Sequence, residues 1–449
     1  MRKVIPLKET YRPRIVDFFS GAGGLSAGFC EAGFELIGAL DFWKPACDSI
    51  QANHPDAYVE CGNISKIEPS DFAAKLSGEP DVVLGGPSCQ GFSTSSGLGR
   101  QGRKEDDHRN TQFQDFVRFV DFLRPKWIVM ENVPGLLLYG EGKVARAIVQ
   151  AFRSIGYNVA PMILLAADFG VPQLRRRLVF VGNRTGKSVA FPQPTNGDPE
   201  LWKGFALPFE HLSRIGNKNA GSAVAPHVSF DDACSDLPEI EEGETFEGRY
   251  PSPAKSDFQR HIRKGSRTLT LHSAFRLSDF DREAISHIKP GQNWRSLPKH
   301  LKVGRFAKIR EYDATTLLRR LVGHKPSYTI TTKFNEATTG AFTHPHQNRT
   351  LSIREAARLQ SFLDSYKFLG SPVEIRRQIG NAVPPLLAER IATALLPEVL
   401  ADCGVKKPAN AGVQDRLMID PDVEFDVLVG LKSARTASAA IAQGTLFGD

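Results

Sequence analysis

The sequence predicts an α/β fold, a doubly wound and mostly parallel sheet, followed by a second, smaller and irregular domain. Three observations predict it. From Arg14 to about Gly182 short apolar runs alternate with stretches of helical periodicity, and a glycine-rich loop follows the first run. After about Phe191 periodicity gives way to prolines, glycines and basic residues, and it returns from about Arg349. Strand and helix in alternation imply a parallel sheet with both faces covered, because each crossover helix must pack back on it.

In chain order, "RIVDFF", "FELIGAL", "DVVLGG", "KWIVMENV" and "RLVFVG" read as buried strands, rich in branched and aromatic residues and closed by Gly, Asn or Pro. Between them Phe113, Phe116, Val117, Val120 and Leu123 fall at helical spacing, as do Val144, Ile148, Phe152 and Ile155 before Gly156. The region after Phe191 is too long for a loop and reads as a domain. In it Arg263, Lys264, Arg267, His272, Arg276, Trp294 and Arg295 interleave cations with an aromatic ring, a composition suited to phosphates and base edges. "SIREAARLQSF" and "RRQIGNAVPPLLAERIATALL" then read as helices, with Pro384 and Pro385 at a helix start and Leu387, Ile391, Ala394 and Leu395 along one face.

Composition is that of an ordinary globular protein, 41% hydrophobic and 24% charged. A net charge of +7 leans toward a polyanionic partner. Six cysteines include no C-x-x-C pair, which argues against a zinc site of that type and against a disulfide framework. No apolar run reaches membrane length and the start lacks a signal-type apolar core, so a reduced, cytoplasmic protein is expected.

In "VDFFSGAGGLSAGF" (16–29), Gly21, Gly23 and Gly24 let the backbone approach a ligand, and Asp41 at the next strand's end is placed to accept bonds from ribose hydroxyls. A nucleoside-type cofactor is therefore expected. Two further strand ends point at the same rim, "GGPSCQGFS" with Cys89 and "ENVP" with Glu131 and Asn132. Gly, Pro, Ser and Gln around Cys89 leave its thiol exposed rather than packed. A carboxylate closing a buried strand is costly unless used, and burial raises its pKa. The pair reads as nucleophile and acid.

Together these motifs resemble those of the DNA (cytosine-5) methyltransferases, bacterial type, in the family's order over most of residues 14–395. "DFFSGAGG" resembles the S-adenosylmethionine loop, "PSCQGFS" the catalytic loop, "ENV" the acid motif and "QLRRR" (173–177) the basic motif. "RTLSIREAARLQSF" (349–362) and "QIGNAVPP" (378–385) resemble the last two. The resemblance implies a methyltransferase-type sheet with an inserted DNA-recognition domain, and the following organisation: 1–13 an N-terminal extension, 14–190 the catalytic and cofactor domain, 191–370 target recognition, 371–398 the helix returning to the first domain, 399–449 an extension with a flexible tail.

It also implies roles. Cys89 would add to carbon 6 of a cytosine flipped out of duplex DNA, with Glu131 at ring nitrogen 3. Gly91, Ser93 and the loop 91–102 would close over the base, beside Gln90 and Asn132. Gln173, Arg175 and Arg177 would hold that loop, the cytosine oxygen and the nearby phosphate. Phe19, Gly21, Gly23 and Gly24 would take the methionine end of S-adenosylmethionine and Asp41 its ribose. Phe42 or Trp43 would stack on adenine, with Asn63, Pro87, Asn381 and Val383 completing the pocket. The sequence departs from the family at Ser88, Asn63 and Leu363, where proline, aspartate and proline are usual; no chemical role is lost. Alternatives are a tRNA cytosine-5 methyltransferase, whose Cys-Phe-Thr signature is missing here, and a catalytically silent DNA-binding regulator. A monomer is expected. The terminal "QGTLFGD" places Gln443, Leu446 and Phe447 at the spacing of peptides that dock on the replication sliding clamp.

Overall fold

The computed structural model describes residues 11–87, 112–138, 142–197, 225–304, 306–310, 314–405 and 416–419. Cys89, Gln90, Gly91, Ser93 and the terminal Gln443, Leu446 and Phe447 lie outside them. The first half builds β1 (Arg14–Phe18), α1 (Gly24–Glu31), β2 (Glu35–Asp41), α2 (Lys44–Asn53), β3 (Tyr58–Cys61), α3 (Pro69–Ala73), β4 (Val82–Gly85), α4 (Gln112–Leu123), β5 (Trp127–Asn132), α5 (Gly135–Leu138), α6 (Lys143–Ser154), β6 (Asn158–Leu165), β7 (Gln173–Leu174), β8 (Arg176–Asn183) and β9 (Val189–Pro192).

A seven-stranded sheet runs β3-β2-β1-β4-β5-β8-β6. The strands from β3 to β5 pair in parallel, and β8 alone runs antiparallel to both its neighbours. That agrees with a mostly parallel sheet. The five apolar runs read from the sequence became β1, β2, β4, β5 and β8, and α4 and α6 bury Phe116, Phe119, Val120, Ile148 and Phe152 as their spacing requires. Strand β6 escapes a periodicity reading: "NVAPMILL" is buried along its whole length and carries Pro161. Strand order reverses between β1 and β4, so a crevice opens beyond their carboxyl ends, where α/β sheets hold ligands.

After β9 come α7 (Phe230–Cys234), β10 (Thr245–Arg249), α8 (Asp257–Ile262), β11 (Thr268–Ser273), α9 (Asp279–Ser286), β12 (Ser327–Tyr328), α10 (Ile353–Leu359), α11 (Pro372–Asn381), α12 (Pro385–Asp402) and β13 (Arg416–Ile419). Among the described residues the sheets here are two-stranded, β10 with β11, β12 with β7 and β13 with β9. A satellite core gathers Ala284, Ile285, Ile288, Trp294, Leu297 and Leu301. Phe230, Phe258, Ile262, Phe334 and Leu351 instead join the main core. Pro385 opens α12 as expected, but the helix continues through Pro397 to Asp402, beyond the expected end at 398. Residues 416–419 add a strand to β9, so this part of the expected extension belongs to the folded body.

Helix α12 and the residues just before it lie close against α1 at two glycines. A Cβ on Gly28 would stand 2.2 Å from the Pro385 carbonyl, and one on Gly24 would stand 2.3 Å from that of Val383. Glycine at both positions lets the last helix reach the first loop, which brings the two ends of the described chain together.

Candidate active site

At the end of β1 the chain turns through Phe19, Gly21 and Gly23, all with left-handed φ (55°, 54° and 76°). Glycine adopts this freely, whereas Phe19 is a strained residue of the kind that collects at ligand sites. The loop is fixed to the next strand, since Gly21 N–H donates to Asp41 Oδ2 at 2.8 Å and Trp43 N–H to Oδ1 at 2.9 Å. Burial raises the Asp41 carboxyl, and these backbone donors oppose the rise. Each carboxylate oxygen keeps a further lone pair, as a ribose diol requires. Phe42 is 65% exposed beside it. Trp43 already carries the Arg377 guanidinium 4.6 Å above its ring. Asn63 Oδ1 accepts from Ser65 N–H at 3.1 Å and caps a short turn next to the β3 end. Val383 contributes its carbonyl to the floor against Gly24, and Asn381 is exposed at the end of α11.

The neighbouring strand ends carry the acid. Glu131 closes β5 and is ion-paired with Arg177 of β8. Burial raises the Glu131 carboxyl, opposed by the charges of Arg177 and then Arg175. A Cβ on Gly86 would lie 3.5 Å from Glu131 Oε2, so the β4 end passes directly over the acid. Asn132 donates to the Pro87 carbonyl at 3.0 Å and its own oxygen accepts from Val133 N–H. The acid and the segment leading into residue 88 are thus held together.

Two expected substrate residues are placed otherwise. Gln173 is fully buried: its amide donates to Leu359 O and Gln360 Oε1, and its oxygen accepts from Ile330 N–H. Arg175, 2% exposed, donates to the carbonyls of Ile330, Gly380 and Ala382 at 2.8–3.2 Å. Both are spent on backbone groups that would otherwise be buried without partners, so they brace the junction of three segments. Of the basic motif, Arg177 alone reaches the acid. In the middle region His272 is fully buried between Ser352 Oγ and Pro238 O, and Trp294 packs in the satellite core while donating to Ala314 O. Arg263 pairs with Asp236 and lies 3.9 Å over Tyr250. Lys264, Arg267 and Arg276 remain exposed.

Sequence reasoning passed over two residues. Asp17 sits under the glycine loop, 1% exposed, with no well-aligned hydrogen bond to either oxygen among the described residues. Burial pushes its carboxyl up to about 7, with the nearby Ser26 donors pulling the other way. An acid inside the apolar run "RIVDFF" was the available signal. Tyr366 donates to the Ala22 carbonyl at 2.5 Å and braces the loop from outside, and nothing in "LDSYKF" announces it.

Comparison with known proteins shows the family and the fold. A family model, C-5 cytosine-specific DNA methylase, matches residues 13–396. The type II methyltransferase M.AgeI of Thalassovita gelatinovora is 32% identical, over 85% of this chain and 99% of that protein. M1.HphI of Haemophilus parahaemolyticus is 34% identical, over 85% and 86%. The solved structure of a prophage-encoded E. coli protein, assigned to the DNA modification methyltransferases, superposes with a TM-score of 0.63 at 22% identity, over 87% of this chain and 99% of that one. The last likeness bears on the fold.

Proposed function

The chain belongs to the C-5 cytosine-specific DNA methylase family, and on that ground we propose that it methylates carbon 5 of one cytosine in a specific duplex sequence, through base flipping and a covalent Cys89 adduct. It is a DNA (cytosine-5) methyltransferase, similar to curated type II methyltransferases, and its place is in a restriction-modification system. The observation that carries the mechanism is Glu131, largely buried near the end of β5, paired with Arg177 and crossed by the chain at Gly86, three residues before Cys89.

Carbon 5 of cytosine is a weak nucleophile. Addition of the Cys89 thiolate to carbon 6 pushes an electron pair through the ring, and Glu131, whose carboxyl burial raises, supplies the proton at nitrogen 3. Carbon 5 then becomes an enamine carbon. After methyl transfer, loss of its proton drives the ring electrons back and expels Cys89. Carbon 6 is hidden in stacked DNA, so the base must leave the helix at a cost of about a few kcal/mol.

S-adenosylmethionine, when bound, supplies an electrophilic methyl group on sulfur. The residues present fit it. The positive-φ turn through Phe19, Gly21 and Gly23 leaves open space at Gly21 for the methionine end, Asp41 retains lone pairs for the ribose, and Phe42 offers an open ring to adenine where Trp43 is already covered on one face by Arg377.

The duplex itself tests the mechanism. On a substrate whose target cytosine bears fluorine at carbon 5, the last elimination is blocked. Wild-type protein should remain covalently attached through denaturing electrophoresis, whereas Cys89→Ser should bind the DNA without attaching. An adduct with the variant, or none with wild type on DNA it methylates, would end the covalent reading.

The enzyme acts as a monomer in the cytoplasm, on nucleoid DNA, with Gln443, Leu446 and Phe447 as a tethered sliding-clamp contact that would raise its concentration on newly copied DNA. A peptide of residues 437–449 should bind the clamp, and its Leu446→Ala, Phe447→Ala version should not. Equal, negligible binding by both would remove the tether.

A further inference from the structure

We propose that Glu283, His287 and His300 form a binding site for a divalent transition metal of the zinc class, which clips α9 to the turn that packs beside it. The oxygen of Glu283 and one ring nitrogen of each histidine all lie within 4.8 Å of one another. Glu283 and His287 stand one turn apart at the end of α9, with His287 as its C-cap. His300 comes from the short turn Lys299–Leu301, where its Nε2 is 3.0 Å from Glu283 Oε1. The two imidazole rings stand at 83° with centroids 6.3 Å apart, edge to face.

Two imidazoles and a carboxylate are a donor set that zinc accepts, with a fourth position left for water. Ligand atoms of tetrahedral zinc at about 2.1 Å stand roughly 3.4 Å apart, so closure asks about an ångström of side-chain rotation. These side chains can make that movement, because Glu283 and His300 are 53% and 64% exposed. Arg282, next along α9, is held by Glu242 and Asp279.

The site's position gives the metal a purpose. Ala284 and Ile285 of α9 pack with Leu297 and Leu301 beside the turn in a core much smaller than the main one. A lobe with so few buried apolar groups gains from a cross-link between its two walls, and a metal that binds only the folded form supplies one.

The test is a calorimetric titration of tag-free, full-length protein with zinc chloride, run beside His287→Ala/His300→Ala. Free thiols elsewhere also take zinc, so the reading is the difference between the two proteins. Wild type should bind one more zinc per chain, and zinc should raise its Tm by a few degrees without moving that of the variant. Equal stoichiometry and equal Tm shifts would overturn the proposal. Should the double variant fail to match wild type by circular dichroism, Glu283→Gln takes its place: at least tenfold weaker binding at the extra site upholds the proposal, and unchanged binding overturns it.

Discussion

Among the described residues Asp17 has no counter-charge to justify its burial in a strand of apolar neighbours, and its carboxyl is pushed from an ordinary 3.8 up to about 7. The unfolded chain releases this proton near pH 4 and the folded chain only near 7. Stability from the protonated form is therefore full below about pH 4 and is lost as pH rises through about 7. The difference in unfolding free energy between wild type and Asp17→Asn should fall by about 2–4 kcal/mol between pH 4.5 and 8, at about 1.4 kcal/mol per pH unit of displacement. Urea denaturation of both proteins across that range measures it, and a difference independent of pH would show that Asp17 is ionised in the fold. Glu131 is displaced in the same direction by the same cause, but Arg177 restrains it. The contrast separates an acid buried without a counter-charge from one buried beside a cation.

Helix α10 shows how an element can hide charge. Its pattern of arginines at 354 and 358 suggests a solvated face, yet both side chains are fully buried. Arg358 donates to Asp364 through two nitrogens and to Asp236 at 2.6 Å, and Arg354 donates to Thr270 O and Asp364. Ser352 and Glu355 form a capping box at the start, and Glu355 also takes both terminal nitrogens of Arg349. The helix is thereby tied to α7, β11 and the segment after it. Arg358→Met would leave Asp236 with Arg263 alone and Asp364 with Arg354 alone, and it should cost about 3 kcal/mol in chemical denaturation. A loss below about 1 kcal/mol would mean that water reaches the pair and that α10 is no anchor.

At the scale of the molecule, this network sets where recognition can be exchanged. A transplant that ended before α10 would leave Arg358 and Asp364 behind while replacing Asp236, one of Arg358's two buried counter-charges. Exchange of residues 191–370 with the corresponding segment of a relative keeps the network whole. It should change which cytosine is methylated, read by bisulfite sequencing of host DNA, while Cys89 remains essential. An unaltered site would place recognition outside the segment. The sequence by itself determined five strands of the sheet, the glycine loop with Asp41 beside it, and the place of Glu131 near a strand's end, because these are written in local periodicity and in spacing along one strand or turn. Only the tertiary structure decided that Gln173, Arg175, His272, Trp294 and the arginines of α10 face inward. Their partners lie far away in sequence, as the 155 residues from Arg175 to Ile330 show. A polar side chain goes inside only when the fold delivers an acceptor to it, and no local pattern of residues records that delivery.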